Sequence, residues 1–291
     1  MLPRPTLTSN LSLYLSKTDV VKGQPLGSGT TGVVYRGVWR NQDVAIKELR
    51  DVNSTLLQQE AQRLANLRPH KHIVVMYGVL TNPPALVLEY CSGGSLDVAL
   101  YGPSPLPFDA KTLLLIARGC ALGLEHMHAE HVVHRDVAAR NVLLDEYKSP
   151  KLTDFGMSRA SEFADRVTVS TKLPMKWAAP EQIEQSLVSK ASDIFSFGCL
   201  LWEIFEQSPP WPGISTVAAA QAVRTGQRMR PTKAAPAQAR LMTQCWAHDR
   251  RERPTASAVA SALKPASQYD SPSVLIPQVP QGYDESGIGL R

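Results

Sequence analysis

The chain changes character at Ser92-Gly93-Gly94, and that change limits its possible folds more than any other feature. Before it, from Val20 to Tyr90, Val- and Ile-rich runs predict strands at Val33–Val38, Val44–Leu49, Ile73–Tyr77 and Ala85–Tyr90. The turn Arg40-Asn41-Gln42-Asp43 suits a hairpin between the first two. One helix interrupts the strands: Ser54 can cap it, and Leu57, Glu60, Leu64 and Leu67 recur at spacings that put them on one face. After the glycines the pattern is helical, with helices predicted over Ala110–His128, Ser192–Phe205, Thr216–Arg224 and Ala237–Trp246. Pro103–Phe108 reads as a surface loop, and Val132–Glu181 as an irregular region between helices. The division is therefore an N-terminal extension (1–19), a small strand-rich lobe (20–90), a larger helical lobe (91–265) and a Pro/Ser/Gln/Gly-rich tail (266–291) expected to be disordered. Two unlike halves around a glycine hinge make an α+β, bilobal plan, which suits a cleft.

Composition narrows the function classes. With 291 residues, 43% apolar and 20% charged, the chain is an ordinary soluble protein able to bury a sizeable core. Its net charge of +5 is not gathered into a stripe: the densest basic group is Arg250-Arg251 with Arg253, and no set of stacking aromatics accompanies it. That argues against nucleic acid as a partner. Cys91, Cys120, Cys199 and Cys245 are widely spaced, which argues against a disulfide framework or zinc site and for a reducing compartment. The longest apolar stretch, Ile194–Phe205, falls short of the roughly 20 residues of a membrane span. Leu2 stands where myristoylation needs glycine, and no signal-peptide core is visible. The expected location is the cytoplasm, either alone or as the cytoplasmic domain of a larger protein. His126, His128, His131 and His134 cluster in sequence, but no carboxylate pattern supports a metal there.

Four motifs carry the chemistry. Leu26–Val34 reads L-G-S-G-T-T-G-V-V, and its Gly27, Gly29 and Gly32 let a turn approach phosphates and offer backbone N–H groups. A dinucleotide fingerprint would need a helix directly after it, whereas Val33-Val34-Tyr35 continues as strand. Val44-Ala45-Ile46-Lys47 puts one lysine at the end of a buried strand, and Glu60, on the inward face of its helix, is the natural partner. His134–Asn141, H-R-D-V-A-A-R-N, packs a candidate base (Asp136), a candidate metal ligand (Asn141) and two arginines into eight residues. D-F-G follows, with Asp154 as a second candidate ligand.

This ordered set, covering roughly residues 20–265, resembles the protein kinase family. Ala138, Arg140 and P-M-K-W-A-A-P-E at Pro174–Glu181 resemble its tyrosine kinase branch. The resemblance implies an α+β, bilobal protein-kinase-like fold, with a small β-rich N-lobe carrying one helix and a larger α-helical C-lobe. It implies ATP and Mg²⁺ as cofactors, with Mn²⁺ as a possible substitute, and protein substrates with tyrosine acceptors. Catalysis would fall to Asp136, Arg140, Lys47 and Glu60, and metal binding to Asn141 and Asp154. ATP would be bound by Gly27, Ser28, Gly29, Gly32, Val34, Ala45, Lys47, Glu89, Cys91 and Leu143, with Leu88 guarding the pocket behind. Glu181 would pair with Arg253, Asp193 would hold the H-R-D turn from below, and Leu64, Met76, His134 and Phe155 would stack between the lobes.

The sequence also departs from the family pattern. Thr31 replaces the aromatic usual at the glycine-loop tip, and Met157–Leu173 contains no tyrosine. Ser158, Ser161, Thr168, Ser170 and Thr171 are the hydroxyls left there, and Glu162 or Asp165 are candidates to hold Arg135 in place of a phosphotyrosine. Activation is therefore expected not to depend on a loop phosphotyrosine. Tyr269 and Tyr283, each followed by Asp, are candidate phosphorylation sites that would recruit phosphotyrosine-binding partners. Three rivals to the tyrosine kinase reading remain, of which a nucleic-acid-binding module is suggested only by the charge. V-Y-R-G-V-W-R resembles the tyrosine-kinase-like Ser/Thr or dual-specificity group; a pseudokinase scaffold would lack a counterpart of Lys47, Asp136 or Asp154, and all three are present.

Overall fold

The computed structural model describes residues 13–29, 32–50, 61, 67–154, 159–160, 166–167 and 173–265. Five strands, β1 (Val20–Ser28), β2 (Gly32–Trp39), β3 (Gln42–Leu49), β4 (Met76–Thr81) and β5 (Pro84–Glu89), form an antiparallel sheet in the order β1-β2-β3-β5-β4. Trp39 pairs directly with Gln42, so the β2–β3 turn is only Arg40-Asn41. Both have positive φ, 49° and 63°, the left-handed geometry that two-residue hairpins need. The sheet packs its own core of Val20, Val44, Ile46, Leu80, Ala85 and Val87.

Two features of this lobe escaped the sequence pattern. β1 is exposed along nearly its whole length and contains Gly23 and Pro25, with register irregularities on either side of Pro25, so it carries no apolar alternation. Pro is tolerated because the strand lies at the sheet's edge. The other edge is covered by the lead-in: Leu15 N–H donates to Val79 O and Val79 N–H to Leu13 O, both at 2.9 Å. Gly78 makes the close approach possible, since a Cβ there would lie 2.7 Å from Leu15 Cγ and 2.8 Å from Leu13 O.

The strand predicted at Ile73–Tyr77 begins instead at Met76 and runs on to Thr81. Ile73 and Val74 are apolar because they join the large lobe: Ile73 bridges Leu152, and Val74 N–H donates to Leu152 O at 2.9 Å. Of the helix expected after Ser54, Ala61 is described and is fully buried against Val79 and Leu86, whereas Leu67, expected on the same helical face, is not helical and packs against the core of the large lobe.

The large lobe contains α1 (Leu96–Tyr101), α2 (Ala110–Ala129), β6 (Val132–Val133), β7 (Val142–Leu144), β8 (Pro150–Leu152), β9 (Arg159–Ala160), β10 (Arg166–Val167), α3 (Pro180–Gln185), β11 (Leu187–Val188), α4 (Lys190–Glu206), α5 (Thr216–Arg224), α6 (Pro236–Cys245) and α7 (Ala256–Ala262). The short strands pair as β6 with β9, β7 with β8 and β10 with β11. α4 starts two residues before its predicted position because Ser189 and Ser192 cap it reciprocally. It is buried nearly all round, the mark of a helix through the middle of a core. Phe195, Phe197, Leu200 and Ile204 of α4 pack with Ile116, Leu124 and Met127 of α2 in one cluster. All four cysteines are free and buried. The predicted surface loop at Pro103–Phe108 is exposed except for the half-buried Phe108.

Candidate active site

The H-R-D turn is fixed from α4. Asp193, 1% exposed at the first turn of that helix, accepts hydrogen bonds from His134 N–H and Arg135 N–H, both at 2.8 Å, and contacts His128 Nε2 at 2.9 Å. Charged acceptors make strong bonds to backbone amides, and here they stabilise a turn in which Arg135 has a φ of +74°. His128 is thereby accounted for as a structural contact. His126 accepts the same description, with Nε2 2.8 Å from Arg68 O and its ring stacked on His70.

The turn then delivers its polar side chains to one place. Asn141 Nδ2 donates to Asp136 O at 2.8 Å and to Asp136 Oδ2 at 2.7 Å. Arg140 forms an ion pair with Asp136 Oδ1, one helical turn away in spacing. Asn141 O accepts from Thr153 N–H at 2.9 Å, which ties Asn141 to the residue just before Asp154. Across the lobes, Lys47 Nζ lies 2.8 Å from Asp154 Oδ1, and Asp154 takes a φ of +61°. With Asn141 Nδ2 committed to Asp136 and Asp154 Oδ1 to Lys47, Asn141 Oδ1 and Asp154 Oδ2 are the hard oxygens left at this place among the described residues. Such a donor set suits Mg²⁺ rather than a soft metal.

The sheet presents the rest. Val34 pairs with Lys47 and Ala45 with Leu88, so Val34, Ala45, Lys47 and Leu88 project from a single face. In β7, Val142 and Leu144 enter the core and Leu143, half-buried, faces the opposite way. Gly29 N–H donates to Gly32 O at 2.9 Å at the glycine-rich turn. Gly32 is required by packing, because a Cβ would sit 1.8 Å from Glu48 O, whereas a Cβ on Gly29 would meet nothing. Glu89 staples the connecting segment: its carboxylate accepts from Val75 N–H at 3.1 Å and lies 2.9 Å from Lys151 Nζ. Cys91 is buried, which pushes its thiol up to about 12.

A fully buried carboxylate was missed from sequence. Glu203 Oε2 accepts from Ala139 N–H and Trp177 Nε1–H, both at 2.9 Å, and Oε1 accepts from Tyr101 Oη–H at 2.7 Å. Arg140 stacks over the Trp177 ring, 4.5 Å from its centre. Burial pushes the Glu203 carboxyl up to about 7 despite these bonds and the nearby Arg140. The signal in the sequence was there: an acid inside the apolar run Ile194–Phe205 is costly unless partnered.

A family model described as protein tyrosine and serine/threonine kinase matches residues 20–263. The chain belongs to the protein kinase family. Relatives include the tyrosine-protein kinase transforming protein Fps of avian sarcoma virus (strain PRCII), 37% identical over 86% of this chain and 49% of that protein. Human protein-tyrosine kinase 6 is 35% identical over 85% of this chain and 56% of its own length. A Dictyostelium discoideum protein named as a probable serine/threonine-protein kinase is 34% identical over 86% of this chain and 28% of its own length. The chain thus spans about half, or less, of these relatives.

Two further family expectations have definite places in this kinase domain. Arg253 meets Glu181 in a buried two-pronged ion pair, at 2.6 and 2.8 Å, that clamps α3 to the segment before α7. Met76 is half-buried and His134 fully buried, while their expected stacking partners Leu64 and Phe155 lie outside the described residues. Glu60, the expected partner of Lys47, also lies outside them, as do Thr31 and most of the Met157–Leu173 loop. No described helix is long and apolar enough to cross a membrane.

Proposed function

We propose that this kinase transfers the γ-phosphate of ATP to tyrosine side chains of protein substrates. The observation that supports the reading is that Arg140 is paired with Asp136 and stacked on Trp177, which would put it at the wall of the acceptor position. Ala138, whose side chain is buried and apolar, puts no second cation two residues after Asp136. Asp136 orients the phenolic hydroxyl and takes its proton as the new O–P bond forms and the bond to the leaving ADP breaks. Arg140 balances charge on the transferred phosphoryl group. Lys47 and the backbone of Gly27–Gly32 hold the remaining phosphates, and Ala45, Val34 and Leu143 enclose the adenine. Asn141 Oδ1 and Asp154 would hold Mg²⁺, or Mn²⁺ in its place, which supplies charge neutralisation across the phosphates. Val20 to about residue 265 forms the catalytic unit, acting in the cytoplasm, with phosphorylated Tyr269 and Tyr283 as docking points for partners.

A second reading, transfer to serine or threonine, is supported by the Dictyostelium relative and by V-Y-R-G-V-W-R in β2. Phosphoamino-acid analysis of a mixed Tyr/Ser/Thr peptide pool incubated with Mg-ATP separates the two. Phosphotyrosine supports the proposal, and phosphoserine or phosphothreonine alone refutes it. Transfer that survives Asp154→Asn unchanged would show that the measured activity does not come from this site.

A further inference from the structure

A second concavity lies in the large lobe and shares no residue with the site above. It has a volume of about 360 Å³ and is formed by α2, the segment before β4 and the β7–β8 turn. Lys71, Arg118 and Lys148 supply three cations, Ser149 and Tyr147 hydroxyls, and no acidic residue lines it. Arg118 Nε is buried without a hydrogen-bond partner among the described residues. None of the three cations is in an ion pair among the described residues, and a partly desolvated guanidinium without an acceptor is costly. Two acids flank this turn without lining the cavity: Asp145 Oδ1 accepts from Tyr147 N–H at 2.9 Å and Ser149 N–H at 2.8 Å, and the exposed Glu146 lies beside the Tyr147 hydroxyl and pushes its pKa up. Tyr147, 82% exposed at the rim, offers an aromatic face. A cavity of this size with three cations, hydroxyls and an aromatic rim suits an aryl phosphate ester.

The chain contains such a group in the right place. α7 packs against α2, the helix that carries Arg118, so the chain leaves Pro265 beside the element that walls the cavity. Tyr283 follows about 18 residues later, a reach of up to about 60 Å against a helix about 30 Å long. Tyr283-Asp284-Glu285 is the acidic group of the segment beyond Pro265, with Asp270 upstream of it and Arg291 the lone base. We propose that the cavity is a phosphotyrosine site that receives Tyr283, with Asp284 and Glu285 against the surrounding lysines, from this chain's own C-terminal segment. It needs the phosphate, whichever tyrosine kinase installs it, and so stands apart from the function proposed above.

The test is fluorescence anisotropy with a synthetic labelled peptide of residues 279–289 phosphorylated at Tyr283, titrated with the full chain carrying Tyr283→Phe. Saturable binding is expected, weakened about tenfold or more by Arg118→Gln and again by the exposed pair Lys71→Gln/Lys148→Gln. Those lysines lie on the surface, so that variant keeps its melting temperature and serves as the folded control. The unphosphorylated peptide and a scrambled phosphopeptide should bind at least about tenfold more weakly. Equal binding by the lysine variant, equal binding of the scrambled phosphopeptide, or no saturation below millimolar concentrations overturns the proposal. Because the phosphate is synthetic, these results do not depend on whether the protein itself phosphorylates tyrosine.

Discussion

Glu203 offers a quantitative test of how the catalytic turn is held. Its carboxyl is raised by burial from 4.5 to about 7, so the folded state keeps a proton that the unfolded chain has already lost between those values. The linked stability is full below about pH 4.5 and is lost as pH rises through about 7. A shift of that size corresponds to about 3 kcal/mol. Most of it, about 2 to 3 kcal/mol, falls between pH 5 and pH 8. Glu203→Gln removes the titration yet keeps the contacts: one amide carbonyl can accept from both Ala139 N–H and Trp177 Nε1–H, and the amide nitrogen can donate to a rotated Tyr101 hydroxyl. Urea unfolding of both proteins, followed by tryptophan fluorescence, should show the Gln variant gaining about 2 to 3 kcal/mol on the wild type between pH 5 and pH 8. Glu203→Ala instead leaves three donors unanswered, at about 1–3 kcal/mol each, and should lose several kcal/mol at either pH. A wild type-to-Gln difference that is flat with pH would refute the titration argument. An Ala variant as stable as the Gln variant would refute the claim that Glu203 anchors the turn.

Three more outcomes follow from other contacts. Arg253→Ala strands the buried Glu181 and should cost about 3–5 kcal/mol in denaturant unfolding, with a larger loss than Arg251→Ala, whose partner Asp249 lies at the surface. Gly78→Ala should expel the Leu13–Leu15 segment from the β4 edge, costing about 1–3 kcal/mol and exposing that segment to rapid proteolysis while the sheet survives. Burial pushes the Cys91 and Cys245 thiols up to about 12 and those of Cys120 and Cys199 higher still, so iodoacetamide at pH 8 should label none of them until urea is added, as read by mass spectrometry.

What the sequence disclosed and what it hid divide along a physical line. α2 and α5 were legible almost to the residue because periodicity, caps and breakers are local signals. Asp136, Asn141 and Asp154 were legible because the order and spacing of short motifs constrain the chemistry they can carry. Ile73 was misplaced because its apolar character serves Leu152, almost eighty positions away, and not its own strand. The lead-in over β4 was invisible because main-chain pairing leaves no side-chain pattern behind. Lys47 was expected to meet Glu60; its described partner is Asp154, a contact that depends on how two lobes sit together and not on any one segment.

The acids of α4, of which only Asp193 was assigned a role from sequence, show why the missed residues matter as much as the motifs. Asp193, Glu203 and Glu206 are all buried in one helix, and each accepts backbone hydrogen bonds from segments outside it. Asp193 takes two amides of the H-R-D turn, Glu203 the Ala139 amide and the Trp177 indole, and Glu206 the amides of Thr232, Lys233 and Ala234. For the two glutamates, depth of burial and the number of donors together set the direction of the shift. Burial alone would raise the Glu206 carboxyl, yet three amides and the Thr232 hydroxyl bring it below its ordinary value. Glu203 is more deeply buried and has a single amide, an indole and a hydroxyl to answer it, and it ends above. α4 is therefore both the centre of the apolar core and the post to which three loops are tied, and two of those ties run to the segments that carry Asp136 and Trp177. A helix whose sequence is mostly apolar sets the geometry of the site through the few polar residues that interrupt it, Asp193 foreseen and Glu203 and Glu206 not.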